Sequence, residues 1–171
     1  MIRIEPLAPH HDRPAFSCGE ESLDVFLHRF ARQNAALGVG VTFVGVEDEA
    51  PEKILGYYTL SSSSIARRDV PPELKASSKL PRCPVPAALV GRLAVDQEAQ
   101  GRGLGALLMM DALARVVPIS GEMGIHAVEV VALHERARTF YEQLGFVALQ
   151  DDPLHLFLPL AVARQLLWEA R

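Results

Sequence analysis

Cysteine is scarce in this chain. Only 2 of 171 residues are Cys, Cys18 and Cys83, far apart and without a His or Cys neighbour at metal-ligand spacing. That excludes a zinc module and a disulfide-stapled framework, so hydrophobic burial has to hold the fold together. No apolar run approaches the roughly 20 residues of a membrane helix, and no basic-then-apolar leader opens the sequence. The expectation is a soluble protein of the reducing cytoplasm. Internal repeats and low-complexity tracts are also missing. Positive charge is not in excess, since 17 Lys and Arg face 21 Asp and Glu for a net charge of −4, so any basic surface must be local. What the chain has is apolar mass: 49% of its residues are hydrophobic, enough for one compact domain over residues 1–171.

Periodicity divides that mass into elements. Ile2–Glu5 reads as a short strand. Leu23, Phe26, Leu27 and Phe30 recur at helical spacing and predict a helix from Leu23 to about Leu37 with all four in the core. Val41–Glu47 and Ile54–Ser61 form a hairpin around the polar turn Asp48–Lys53. Arg67–Pro86, rich in Pro, Ser and cations, predicts a long surface loop with a short helix near Glu73–Ser77. Val85–Val95 is a central strand, Ala106–Val117 a helix and Val128–Ala132 a further strand. Phe146–Leu149 and Leu154–Leu158 make a final pair, and Pro159 opens a helix to about Trp168. The fold class is α+β, a mostly antiparallel sheet with a parallel pair in the middle. His10, His11 and His155 show no convergent partners and read as ordinary core or surface residues.

One stretch carries chemistry. Leu93 and Val95 suit a buried strand, and Gln100-Gly101-Arg102-Gly103-Leu104-Gly105 then enters the apolar segment beginning at Ala106. Glycine lets the backbone turn sharply and removes side chains that would hold a ligand away. The N–H groups of the following helix N-terminus have no acceptor within the helix and sit at the positive end of its dipole. This makes a diphosphate site, to which Arg102 adds a charge-assisted contact. The spacing fits neither the Rossmann fingerprint nor a P-loop.

Gln100-Gly101-Arg102-Gly103-Leu104-Gly105 resembles the Gln/Arg-x-x-Gly-x-Gly/Ala acetyl-coenzyme A motif of GCN5-related N-acetyltransferases, the GNAT superfamily. Downstream, Ala137-Arg138-Thr139-Phe140-Tyr141 through Gly145-Phe146 resembles the superfamily's helix and turn. The resemblance implies a twisted sheet flanked by helices whose central parallel strands splay apart. It also implies acetyl-coenzyme A as co-substrate, held by Leu93, Ala94, Val95, Gln100, Gly101, Arg102, Gly103, Leu104, Gly105, Ala106 and His134, with no metal. A backbone N–H near Leu93–Val95 would stabilise the oxyanion, and Tyr141 would protonate the leaving sulfur as general acid. His134 stands where the family often has Asn or Asp; His is the weaker N-cap, which implies that either the helix starts elsewhere or His134 touches cofactor or substrate.

A narrower resemblance covers nearly the whole chain. Phe16-Ser17-Cys18-Gly19, Gly56-Tyr57-Tyr58-Thr59-Leu60-Ser61, Gly91-Arg92-Leu93-Ala94-Val95-Asp96 and Asp152-Pro153-Leu154-His155-Leu156-Phe157-Leu158-Pro159-Leu160 are similar to the GNAT toxins of bacterial toxin–antitoxin modules. That resemblance implies acetylation of the α-amino group of aminoacyl-tRNA, silencing by a ribbon-helix-helix antitoxin, and a homodimer. The residues add one hint of their own. Between Arg67 and Arg82, the five cations Arg67, Arg68, Lys75, Lys79 and Arg82 face only Asp69 and Glu73, a local phosphate-binding character on an acidic protein. Arg92 is a further candidate for substrate contact. A GNAT enzyme for a protein or small-molecule amine, and a catalytically silent acetyl-coenzyme A-binding module, are the alternatives.

Overall fold

A computed structural model describes the backbone of residues 1–171 and all side chains except those of Ser77 and Ser78. The elements run in the order β1 (Ile2–Pro6), α1 (Glu21–Val25), a π-helical turn (Phe26–Phe30), α2 (Ala31–Ala36), β2 (Val41–Glu47) and β3 (Gly56–Ile65). A 3₁₀ turn (Arg67–Asp69), α3 (Pro72–Ser78), β4 (Val85–Val95), a 3₁₀ turn (Gln97–Ala99) and α4 (Leu104–Ile119) come next. The chain ends with β5 (Ala127–Val131), α5 (Glu135–Gln143), β6 (Val147–Ala148), β7 (His155–Pro159) and α6 (Leu160–Glu169). The seven strands pair in the order β1-β2-β3-β4-β5-β7-β6. The expected parallel pair is β4 with β5, in a register from Ala87↔Ala127 to Val90↔Val130, and Gly91–Val95 of β4 continues past that register.

The chain divides into two compact units, Met1–Ser61 with Gly91–Ala112, and Ser62–Val90 with Leu113–Arg171. The first is built on a core of Phe16, Phe26, Leu27, Ala31, Val44, Val46, Ile54, Tyr57 and Ala94. Gly56 is obligatory there, because a Cβ would lie 2.8 Å from Leu108 Cδ1 and 2.9 Å from the Ala94 carbonyl oxygen. In the second unit Ile65, Val70, Val85, Ala87, Ala127, Leu149 and Phe157 make the core. Of the C-terminal apolar residues, Leu156, Leu158 and Leu160 are buried, whereas Trp168 is exposed.

Two expectations change. The single helix from Leu23 to Leu37 is interrupted by the π turn, whose wider winding shifts the helical phase of the residues beyond it. Phe26 and Leu27 stay buried, but Phe30 is 46% exposed and is not a core residue. The second strand of the hairpin also runs on to Ile65, because the consecutive serines Ser61–Ser64 alternate between half-buried and exposed within the strand rather than ending it. Among the described residues no helix is long and apolar enough to cross a membrane.

Candidate active site

In the first unit the strand-to-helix turn is open, as its sequence requires. Gly101 and Gly103 take φ of +79° and +75°, and a Cβ built on either meets nothing within 4 Å. The first bond of α4 runs from Leu107 N–H to the Gly103 carbonyl at 3.2 Å, so the N–H groups of Leu104, Gly105 and Ala106 have no acceptor within the helix. Free donors, the dipole of a long helix and bare backbone together form a cradle for an anion. Arg102 is half-exposed and donates from one terminal nitrogen to Glu47 at 2.6 Å, which holds the Glu47 carboxyl below its ordinary value against the opposing effect of burial. Its outer N–H groups remain able to contact phosphate.

The strand that feeds this turn is buried or half-buried from Arg92 to Val95. Ala94 is buried in the core, and Leu93 and Val95 are half-buried. Arg92, half-buried, lies over the Phe26 ring with its guanidinium carbon 3.7 Å from the centroid, a cation–π contact. Asp96, also buried, accepts the Ser17 N–H on Oδ2 and the Glu98 N–H on Oδ1, both at 3.0 Å. Gln100 directs its amide nitrogen to the Cys18 and Val95 carbonyls, each at 3.0 Å. Its side chain therefore binds protein.

In the second unit, α5 carries the two remaining residues of interest. His134 is the N-cap, extended at φ −160°, and its Nδ1 accepts the Ala137 N–H at 3.2 Å. A cap of this kind fixes the tautomer and does the work of the family's Asn or Asp. Tyr141 is 6% exposed, with Phe140 and Phe146 ring centroids 5.2 and 5.7 Å away. Burial pushes its phenol up to about 12, so it carries its proton at neutral pH.

The basic segment of the second unit is partly gathered. Arg67, Arg68 and Arg82 line a shallow cleft of about 390 Å³ with Ala66, Cys83 and Pro84. The Arg67 Nε is buried without a hydrogen-bond partner, and a buried unsatisfied donor is costly unless a ligand completes it. Arg68 is 87% exposed, with Asp69 at 3.8 Å. Lys75, on α3, and Lys79, left-handed at φ 51° where α3 ends, are not part of this lining.

Two clusters escaped the linear reading. His155, expected to lack partners, donates from Nε2 to the buried Glu129 at 2.7 Å and from Nδ1 to Asp151 at 2.8 Å, and Ser63 donates to the other Glu129 oxygen. An imidazole that donates from both nitrogens is an imidazolium. Burial acts against that charge, but the two carboxylates outweigh it and raise His155 above its ordinary value. His11 likewise converges with Glu5 at 2.9 Å and His10 with Glu5 at 3.6 Å, a trio whose ligand atoms lie within 4.8 Å of one another. His11 Nδ1 accepts the Ala8 N–H at 2.9 Å, which keeps the ring proton on Nε2, facing Glu5. As folded, that nitrogen is a donor and not a metal ligand. Only the Ser63, Glu129 and His155 contacts join residues distant in sequence; the others lie within six residues of one another but carry no motif that marks them.

Comparison with known proteins points the same way. The model of the acetyltransferase (GNAT) domain matches residues 40–148. A tRNA-acetylating toxin of Mycobacterium tuberculosis is 41% identical over 91% of this chain and 90% of its own length. A probable toxin TacT of Sinorhizobium fredii is 33% identical over 96% and 94%. Among solved structures, AtaT complexed with acetyl-methionyl-tRNAfMet superposes with a TM-score of 0.89 at 34% identity, covering 97% of this chain and 99% of that one. A tyrosine-to-phenylalanine mutant of KacT gives 0.90 at 33% identity, covering 96% and 98%.

Proposed function

The chain belongs to the acetyltransferase (GNAT) family, and from that premise we propose that it transfers the acetyl group of acetyl-coenzyme A to the α-amino group of an aminoacyl-tRNA, blocking translation as a toxin. The observation that carries the reading is the open turn Gly101–Gly105 at the N-terminus of α4, with its positive-φ glycines and free N–H groups. Its acceptor half rests on the likeness to the tRNA-acetylating toxin.

The donor supplies an activated thioester; the chain binds it and handles charge and protons. Gly101, Gly103, Leu104, Gly105 and Ala106 offer bare backbone and N–H donors to the diphosphate, with Arg102 beside them. Leu93, Ala94 and Val95 present main-chain groups to the acyl-bearing arm, and an N–H among them faces the oxyanion. His134 caps the helix that holds Tyr141 and contributes to the cofactor side. Tyr141, which carries its proton at neutral pH, gives it to the departing sulfur as general acid. On the acceptor side, Arg67, Arg68 and Arg82 in their cleft, with Lys75 and Lys79 near them in sequence and Arg92 on β4, take the phosphates and the end of the tRNA. The unsatisfied Arg67 Nε supports this.

The reaction as proposed calls on no metal, and His11, with its ring proton on Nε2 facing Glu5, is not a ready metal ligand. Residues 1–171 act as one catalytic domain, working in the cytoplasm as a homodimer and silenced by a ribbon-helix-helix antitoxin. The test is to incubate the purified protein with labelled acetyl-coenzyme A and a pool of charged tRNAs, resolving the aminoacyl ends by mass spectrometry. Label on the α-amino group of one or a few aminoacyl-tRNAs is expected. Cofactor binding with no label on any aminoacyl-tRNA would overturn the acceptor assignment.

A further inference from the structure

The sequence motif places Gln100 among the cofactor contacts, but its amide is otherwise engaged. Its Nε2 carries two N–H groups, and the Cys18 and Val95 carbonyl oxygens each lie at 3.0 Å. Val95 is the last residue of β4. Cys18 lies in the loop before α1, which is itself fixed: the Cys18 N–H donates to Asp24 at 2.9 Å, the Ser17 N–H to Asp96 at 3.0 Å, and the Gln97 N–H to the Ser17 carbonyl at 2.9 Å. One residue after Gln100 the chain turns into the positive-φ glycine segment.

We infer that Gln100 is a positioning residue for the acetyl-coenzyme A site: its two amide protons tie the end of β4 and the start of the glycine turn to the Ser17–Cys18 loop. The function is bidentate donation. The strand end bears the main-chain groups offered to the acyl arm, and the turn bears those offered to the diphosphate, so one anchor sets the distance between them. Bidentate donation also gives a physical reason for the Gln-or-Arg alternation at the head of the family motif. Both side chains present two N–H groups from a planar head, whereas Glu, isosteric with Gln, presents none and would set a carboxylate against two carbonyl oxygens.

This role rests on the cofactor reading above and not on the identity of the acceptor. It is tested by titrating acetyl-coenzyme A calorimetrically into the full chain and its Gln100→Glu, Gln100→Met and Gln100→Arg variants, with thermal melts of each. Two hydrogen bonds of ordinary strength are at stake, so Gln100→Glu and Gln100→Met are expected to weaken binding by about tenfold, and Gln100→Arg to restore it. The KM for acetyl-coenzyme A should rise with that for the acceptor unchanged. Binding by Gln100→Glu or Gln100→Met as tight as that of the parent would overturn the inference. So would a loss that tracks melting temperature alone and is not rescued by Arg. If the parent chain itself fails to bind acetyl-coenzyme A, the proposed function falls instead.

Discussion

Replacing Gly103 by Ala separates what the glycine does for the backbone from what it does for a ligand. Gly103 sits at φ +75° with nothing within 4 Å of a built Cβ. The substitution therefore meets no protein atom, and its folding cost is the left-handed conformation alone, about 1–2 kcal/mol. For a chain of this length that is a fall in melting temperature of about 2–4 °C per kcal/mol. Gly38 is a built-in control, with φ of +69° and equally empty surroundings, but outside the turn. Gly38→Ala should show the same melting shift. The two variants diverge in acetyl-coenzyme A binding, because at Gly103 the new methyl enters the space a phosphate needs to reach the N–H donors. Loss of one charge-assisted hydrogen bond, about 1.5–3 kcal/mol, weakens binding by roughly tenfold to a hundredfold. The assay is calorimetric titration of both variants at matched folded fractions. Equal affinity of Gly103→Ala and Gly38→Ala would refute the cradle.

Tyr141→Phe should reduce turnover about a hundredfold or more while leaving acetyl-coenzyme A affinity within about twofold, as a group delivering general-acid catalysis worth ~10² or more requires; unchanged turnover would remove Tyr141 from the chemistry. For His155 the sign runs one way: its folded value is raised above its ordinary 6.5, so its contribution to stability is complete below that value and is lost as pH rises through the folded one. Melts from pH 5 to 9 should show this loss in the parent chain, and His155→Ala should abolish it while costing about 3–5 kcal/mol, because the buried Glu129 is left unpaired. Arg67→Gln should weaken binding of charged tRNA and lower the slope of log affinity against log salt by about 1, with acetyl-coenzyme A titrations unchanged.

Much of this protein is legible in local sequence, because the deciding forces are local. Near-continuous apolar runs made Val41–Glu47 and Val85–Val95 strand-like, and the observed strands have those same limits. Three glycines in five residues announced the open turn, since only glycine takes φ near +75° without strain and leaves the backbone bare. The fate of side chains whose partners lie far along the chain was decided by tertiary structure. Gln100 binds the Cys18 carbonyl 82 residues away, so its role as an anchor had no local signature. Arg92 lies over Phe26 only because strand and π turn share one core. Phe30 left the core when the π turn changed the helical phase, which a regular 3.6-residue period cannot foresee. Glu129, His155 and Asp151 became one ion-paired group when antiparallel β5 and β7 set Val131 opposite His155. Local pattern determines backbone form, because it depends on each residue and its near neighbours. Charge pairing and side-chain anchoring depend on which strands and loops become neighbours, and that is settled only when the chain folds.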